Sequence, residues 1–185
     1  MHKLAYLDMD GVLVDFIKGA LTAHDRLDLY DNYPVGVWNI WEPMGITGEE
    51  FWAPLKSYDF WINLEPYPWF DELLTMMNDY FGNHWWIATS TGTVSMSASA
   101  KLDWIFKHFP KNDGKKFTRF NLCPDKEHLG INRPDSVLID DYIVNHTKYL
   151  ATGAHSILFA QPWNNKHHVN DKLNDLESEI KRFIA

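Results

Sequence analysis

The sequence predicts an α/β fold with a doubly wound parallel sheet and a small helical segment inserted after the first strand. Short apolar runs alternate along the chain with stretches whose apolar residues recur at helical spacing, a pattern typical of parallel sheets covered by helices. The alternation is interrupted between residues 30 and 68, where five of the nine prolines lie among many aromatic residues. We predict a core of residues 1–14 and 69–185 and an inserted segment of residues 15–68.

Each element is predicted from its local pattern. Short apolar stretches of three to six residues predict strands, near residues 3–8, 85–88, 117–122, 137–139 and 156–159. Helical periodicity predicts helices, near residues 15–29, 70–81, 97–109, 145–150 and 169–184. A capping-box sequence at Thr47 with Glu50 predicts one further short helix within the inserted segment.

Composition excludes several classes of protein. The chain has 185 residues, of which 45% are hydrophobic and 23% charged, as in an ordinary soluble domain. Its formal charge is 17 − 25 = −8, so no broad positive field is available to bind long nucleic acid. No apolar run approaches the ~20 residues that span a membrane, and the apolar run before Asp8 is too short for a signal peptide. The single cysteine, Cys123, excludes an internal disulfide, and we expect a cytoplasmic protein.

Two acidic residues follow directly after the first predicted strand. Asp8 and Asp10 are two residues apart, so they share one side if the strand continues, and Gly11 then allows the chain to turn away. Two acids beside an apolar strand are unfavourable unless a cation lies between them or one is protonated. Mg²⁺ is the expected cation, because it prefers oxygen ligands and keeps waters that a phosphate can displace.

Polar residues also follow two other predicted strands. Thr89 and Ser90 come after the strand near 85–88, and Asp140 and Asp141 follow the strand near 137–139. Ligands of such sheets bind beyond the carboxyl ends of the strands, at a topological switch point. The sequence therefore predicts that these residues and Asp8 meet in one crevice.

This set of residues suits phosphoryl transfer. Asp8 can act as the nucleophile, and Asp10 can protonate the leaving oxygen and then activate water. Thr89 and Ser90 can donate hydrogen bonds to phosphoryl oxygens, and Lys126 can supply a positive charge.

A Mg²⁺ site completes the predicted machinery. We expect it to be formed by the Asp140-Asp141 pair together with Asp8 and the carbonyl of Asp10. A calcium loop is the alternative for the first motif, but an EF-hand would need ligands where Val12 and Gly19 stand.

Taken singly, the other residues have simpler interpretations. Thr89-Ser90 alone is more often a turn, and a lone lysine such as Lys126 is usually exposed to solvent. The nine tryptophans are explained by core packing, or alternatively by a stacking pocket for a planar ligand. The pocket interpretation requires that aromatic residues face Asp8.

The combined motifs resemble the haloacid dehalogenase superfamily of aspartate-nucleophile phosphatases. The resemblance covers residues 4–141 and rests on four motifs, Asp8-x-Asp10-Gly11-Val12, Thr89-Ser90, Lys126 and Asp140-Asp141. Three segments are also similar to the 5'(3')-deoxyribonucleotidases. They are residues 8–16, the stretch Phe60-Trp61-x-x-Leu64-Glu65-Pro66-x-Pro68, and Asp125-Lys126.

The resemblance implies a core like the Rossmann fold, a helical cap and Mg²⁺-dependent dephosphorylation of deoxyribonucleoside monophosphates. It places Phe16, Trp38 and Trp52 around the base, and it makes Asp141 the direct metal ligand with Asp140 in support. Two positions depart from the family pattern. Val37 stands where the pattern has Phe before Trp38, and Thr91-Gly92-Thr93 stands where it has Pro-x-Lys.

Two rival functions remain open at this point. The same chemistry could act on another phosphate ester, such as a sugar phosphate or the 3' end of a nucleic acid. The chain could also be a non-catalytic binding module with a phosphatase fold, although Asp8 and Asp10, the two residues whose loss would signal a dead enzyme, are both present. The sequence makes no prediction about oligomeric state.

Overall fold

A computed structural model of the chain describes residues 3–92, 94–109 and 114–185. Five strands form one sheet in which every pair is parallel and the order is β3-β2-β1-β4-β5. The strands are β1 Leu4–Leu7, β2 Trp85–Thr89, β3 Phe120–Leu122, β4 Ser136–Asp140 and β5 His155–Leu158. The predicted α/β fold with a parallel sheet is confirmed.

The described residues form eight α-helices. Four of them have four to eight residues and belong to the insertion between β1 and β2, and the other four have eight to fourteen residues. They are α1 Phe16–Ala23, α2 Trp41–Met44, α3 Gly48–Trp52, α4 Tyr58–Ile62, α5 Phe70–Phe81, α6 Ser95–His108, α7 Ile143–Leu150 and α8 Lys172–Ile184.

Both faces of the sheet are buried, as the near-continuous apolar strands predict. Along β1, Ala5 and Leu7 belong to a large apolar cluster on one face, while Tyr6 belongs to a smaller cluster on the other. In β4 all five residues are buried. This two-sided burial is the packing expected of a doubly wound sheet.

Some predicted boundaries are wrong for local reasons. The helix predicted over 15–29 ends at Ala23, because Asp25 takes a positive φ of 53° and a 3-10 turn follows over Leu27–Leu29. The last helix begins at Lys172 rather than 169, because the Asp171 side chain accepts from Asn174 N and caps it there. Neither the positive φ of Asp25 nor the cap at Asp171 changes the spacing of apolar residues on which the predictions depend.

The inserted segment, residues 15–68, has an apolar cluster of its own. The Asp15 carboxylate caps α1, and Thr47 and Glu50 form the predicted capping box at α3. The two ends of the segment lie side by side, since Asp15 N donates to Glu65 O (2.9 Å) and Tyr67 N donates to Leu13 O (3.0 Å). Its cluster consists of Ile17, Ala20, Leu21, Tyr33, Ile40, Met44, Phe51 and Leu55, together with Trp163 from outside the segment.

The described helices give no sign of a membrane span, since none of them combines the length and apolar character that crossing a bilayer requires. Thr93, used above in comparing the chain with the family pattern, lies outside the described residues.

Candidate active site

The carboxyl ends of three adjacent strands define the site. Asp8 follows β1, Thr89 ends β2 and Asp140 ends β4. Because β1 pairs with β2 on one side and with β4 on the other, these three residues meet at one edge of the sheet. The chain moves outward in opposite directions from β1, which makes this edge the topological switch point.

Three buried carboxylates converge there. Oxygens of Asp8, Asp140 and Asp141 lie within 4.8 Å of one another, and all three residues are at most 6% exposed. Lys126, only 1% exposed, lies among them, with its Nζ 2.6 Å from Asp8 Oδ1 and 2.6 Å from Asp140 Oδ2. The predicted grouping of these four residues is thus present in the structure.

The electrostatics of this cluster are unfavourable for full ionisation. Burial, reinforced by the charge of Asp140, raises the pKa of Asp8 to about 7, and burial with repulsion from Asp8 raises the pKa of Asp141 well above its usual value. Burial alone would lower the pKa of Lys126, but Asp140 and Asp8 raise it overall, so this amine stays charged. If all three carboxylates are ionised, the one ammonium of Lys126 leaves two negative charges unbalanced. A divalent cation that prefers oxygen ligands would balance them.

Asp140 and Asp141 have different surroundings. Asp140 accepts from Lys126, from Tyr142 N (2.9 Å) and from Asn145 Nδ2 (3.1 Å), so both of its oxygens are engaged by protein donors. Asp141 lies against Gly11, where φ is +79° and an added Cβ would come within 2.1 Å of Asp141 Oδ2. Only glycine permits this close approach. Asp141 is therefore the better placed of the two to reach a metal ion.

Lys101 is a site residue that the sequence analysis missed. It is 1% exposed on α6, and its Nζ donates to Asp10 Oδ2, to Thr89 Oγ1 (3.0 Å) and to Ser90 O (2.6 Å). The other oxygen of Asp10, Oδ1, is buried and has no hydrogen-bond partner among the described residues. A signal was available, because residue 101 shares the buried face of α6, formed by Ser97, Ala100, Lys101, Trp104 and Ile105.

One cavity of about 450 Å³ connects the carboxylates with the inserted segment. Asp8, Asp10, Lys101, Lys126 and Asp141 line it. The four residues predicted to bind substrate, Phe16, Trp38, Trp52 and Ser90, also line it. Thr89 is fully buried and contacts Lys101, but it is not among the described residues that line the cavity.

Aromatic rings form much of the cavity wall. Trp41, Phe51 and Trp61, which the sequence analysis did not assign to a pocket, also line it. Phe16 stacks on Trp61 with ring centroids 5.5 Å apart, and Trp38, which is 41% exposed, stacks on Tyr142 at 3.9 Å. The aromatic residues therefore face the carboxylates, which is the condition that a stacking pocket requires.

Solved structures similar to this chain belong to haloacid dehalogenase proteins. A haloacid dehalogenase-like protein of unknown function from Agrobacterium tumefaciens matches with TM-score 0.59 and 14% identity, covering 100% of each chain. A haloacid dehalogenase-like hydrolase from Streptococcus pneumoniae matches with TM-score 0.55 and 14% identity, covering 100% of this chain and 99% of the other. At these identities the likeness shows the fold.

The sequence itself identifies the family. No curated protein sequence matches the chain. A family model described as 5' nucleotidase, deoxy (pyrimidine), cytosolic type C protein matches residues 2–182, nearly the whole length. The chain therefore belongs to this nucleotidase family, and its fold is that of the haloacid dehalogenase phosphatases.

Proposed function

We propose that this protein is a Mg²⁺-dependent phosphatase that hydrolyses (deoxy)ribonucleoside monophosphates through an aspartyl-phosphate intermediate. The observation that carries the proposal is one cavity lined both by carboxylates and lysines and by aromatic rings. A nucleoside monophosphate offers a partner for each kind of group, since it combines an anionic phosphate with a planar base.

Asp8 is the proposed nucleophile. Its Oδ1 accepts from Met9 N (2.7 Å) and lies 2.6 Å from Lys126 Nζ, which fixes the carboxylate at the end of β1. An Asp8 oxygen attacks phosphorus, the bond to the ester oxygen breaks, and the phosphoryl group is held on Asp8 until water releases it as inorganic phosphate. Asp8 must be ionised to attack.

Asp8, Asp141 and the carbonyl of Asp10 are proposed to hold Mg²⁺, with Asp140 supporting the site through its contacts to Lys126 and Asn145. When bound, Mg²⁺ supplies positive charge that offsets the carboxylates and the phosphoryl oxygens. Lys126 adds a fixed positive charge beside the attacking carboxylate.

Asp10 is the proposed acid and base. It gives a proton to the departing ester oxygen and later takes one from the attacking water. Lys101 holds Asp10 Oδ2 and leaves the buried Oδ1 without a protein partner, so Oδ1 is the atom proposed to exchange this proton. Ser90 lines the cavity and is proposed to donate to a phosphoryl oxygen, and Thr89 is proposed to act beside it, in contact with Lys101.

The aromatic residues of the cavity wall are proposed to bind the base by stacking, with contributions from Phe16, Trp38 and Trp52. The inserted segment, residues 15–68, is proposed as the cap, and residues 1–14 with 69–185 as the core. The matched family is described as cytosolic, which together with the single cysteine supports a cytoplasmic location.

Replacing the nucleophile should abolish turnover. We expect Asp8→Asn to lower kcat for a nucleoside monophosphate more than about 1,000-fold, because no aspartyl-phosphate can form. Initial rates of phosphate release measure this, and Asp79→Asn, which changes an exposed acid on α5, is the matched control. Retained hydrolysis in Asp8→Asn would refute the nucleophile assignment.

The same assay defines the substrate class. Among mononucleotides, sugar phosphates and a 3'-phosphorylated oligonucleotide, we expect the highest kcat/KM for mononucleotides. A preference for either of the other two classes would reject the nucleotide assignment while leaving the phosphatase chemistry in place.

Trp38 offers a test of base stacking. Because stacking of a base on an aromatic ring is worth about 1–3 kcal/mol, Trp38→Ala should raise KM for mononucleotides about tenfold and leave KM for a sugar phosphate unchanged. The neighbouring Val35→Ala is the control, since Val35 is 61% exposed. An equal change for both substrates would contradict a role for Trp38 at the base.

Stability without metal should depend on pH. The pKa of Asp8 rises from 3.8 to about 7 on folding, so between these values the folded protein keeps a proton that the unfolded chain has lost. Stability from this group therefore falls as pH rises through that window. In EDTA, we expect the Tm of the wild type to fall relative to that of Asp8→Asn between about pH 5 and about pH 8.

Mg²⁺ should reverse this dependence, because it binds the ionised carboxylates. Differential scanning fluorimetry with and without Mg²⁺ should show a larger rise in Tm at about pH 8 than at about pH 5. If Tm in EDTA changed with pH in the same way for the wild type and for Asp8→Asn, burial and repulsion from Asp140 would not raise the pKa of Asp8.

A further inference from the structure

Trp163, in the loop after β5, contacts the predicted metal ligand Asp141 directly. The side chain is only 7% exposed, and its indole N–H donates to Asp141 Oδ2 at 2.7 Å. The same oxygen faces the Cα of Gly11, where a Cβ would come within 2.1 Å. Asp141 Oδ2 is thus confined between an indole donor and a backbone that has no side chain.

The loop that carries Trp163 is fixed to the strand ends. Asn164 Nδ2 donates to the carbonyl of Asp141 (2.8 Å) and to that of Phe159 (2.7 Å). Gln161 Nε2 donates to the carbonyl of Gly11. Both the backbone and the carboxylate of Asp141 are therefore held by residues of one short loop.

The indole also belongs to the apolar cluster of the inserted segment. Trp163 is the one member of that cluster that comes from outside residues 15–68 of the described chain. Tyr33 packs edge-on against it, with ring centroids 6.0 Å apart at 81°, and Gly36 N donates to the carbonyl of Pro162 at 2.9 Å. Trp163 therefore connects the packing of the segment with the carboxylate of Asp141.

We propose that Trp163 is a positioning residue that orients Asp141 for Mg²⁺ and couples metal affinity to the packing of the inserted segment. The inference rests on the proposed function, since it takes Asp141 as a Mg²⁺ ligand. A hydrogen bond from an indole to one carboxylate oxygen fixes the rotamer and leaves the other oxygen to the metal. Groups that orient metal ligands in this way typically change metal affinity about 10–100-fold when they are replaced.

Metal affinity and the packing of the inserted segment should be coupled, because Trp163 contacts both Asp141 and that segment. Metal binding favours the Asp141 orientation that the indole holds, and the indole is held by Tyr33 and its neighbours in the segment. A change that stabilises the packing of the inserted segment on Trp163 should therefore raise the affinity for the metal. Metal binding should in turn stabilise that packing by the same coupling free energy.

Metal binding without substrate tests the proposal. Trp163→Phe keeps an aromatic ring in the cluster and removes the N–H donor. We expect it to weaken Mn²⁺ binding, measured by electron paramagnetic resonance on the full chain, about 10–100-fold. The control is Trp85→Phe. It removes another buried indole donor, which bonds to Asn78 Oδ1 and lies at the amino end of β2, away from the carboxylates. That variant should lower Tm and leave the metal affinity within about twofold of wild type.

A second variant keeps the test independent of the folding of Trp163→Phe. Tyr33→Ala does not touch Asp141 but loosens the packing on the indole, and we expect it to weaken Mn²⁺ binding several-fold. Wild-type affinity in Trp163→Phe, equal weakening in Trp85→Phe, or unchanged affinity in Tyr33→Ala would overturn the proposal. In each of these cases a wild-type protein that binds Mn²⁺ and hydrolyses mononucleotides would leave the proposed function standing. A wild type that does neither would overturn both.

Discussion

Repulsion among three buried carboxylates is the constraint on which the site depends. Asp8, Asp140 and Asp141 converge beyond the carboxyl ends of the central strands, and the buried Lys126 lies between Asp8 and Asp140. Such a cluster is unfavourable in a low-dielectric interior unless protons or a cation neutralise it, and the raised pKa of Asp8 expresses that imbalance. The proposed Mg²⁺ would offset the same imbalance, because it would bring positive charge to the ionised carboxylates.

The fold maintains this arrangement by backbone placement. The central position of β1 brings the ends of β2 and β4 beside Asp8, and Gly11 allows Asp141 to approach the turn after β1. The inserted segment covers the other side with aromatic rings that border the same cavity. Charged side chains and aromatic rings therefore border one cavity because of the sheet order and the position of the insertion.

The sequence predicted the residues whose positions depend on strand ends. Asp8 and Asp140 could be placed because each follows an apolar run, and parallel strands bring such ends together. Lys101 could not be placed in the same way, because a lysine in a helix is ordinarily exposed, although its position on the apolar face of α6 was a usable sign. Trp163 gave no sign at all, since its contacts with Asp141 and Tyr33 depend on a loop and on the insertion together. Local sequence specifies the strands, whereas tertiary packing specifies these two residues.

The proposed function and the role of Trp163 both require that the carboxylate cluster bind a single divalent ion. Isothermal titration calorimetry of Mg²⁺ into EDTA-treated, buffer-exchanged protein measures this binding. We expect one Mg²⁺ per chain in the wild type and in Asp79→Asn, and no detectable binding in Asp141→Asn. Absence of binding in the wild type, or binding that Asp141→Asn leaves unchanged, would contradict it.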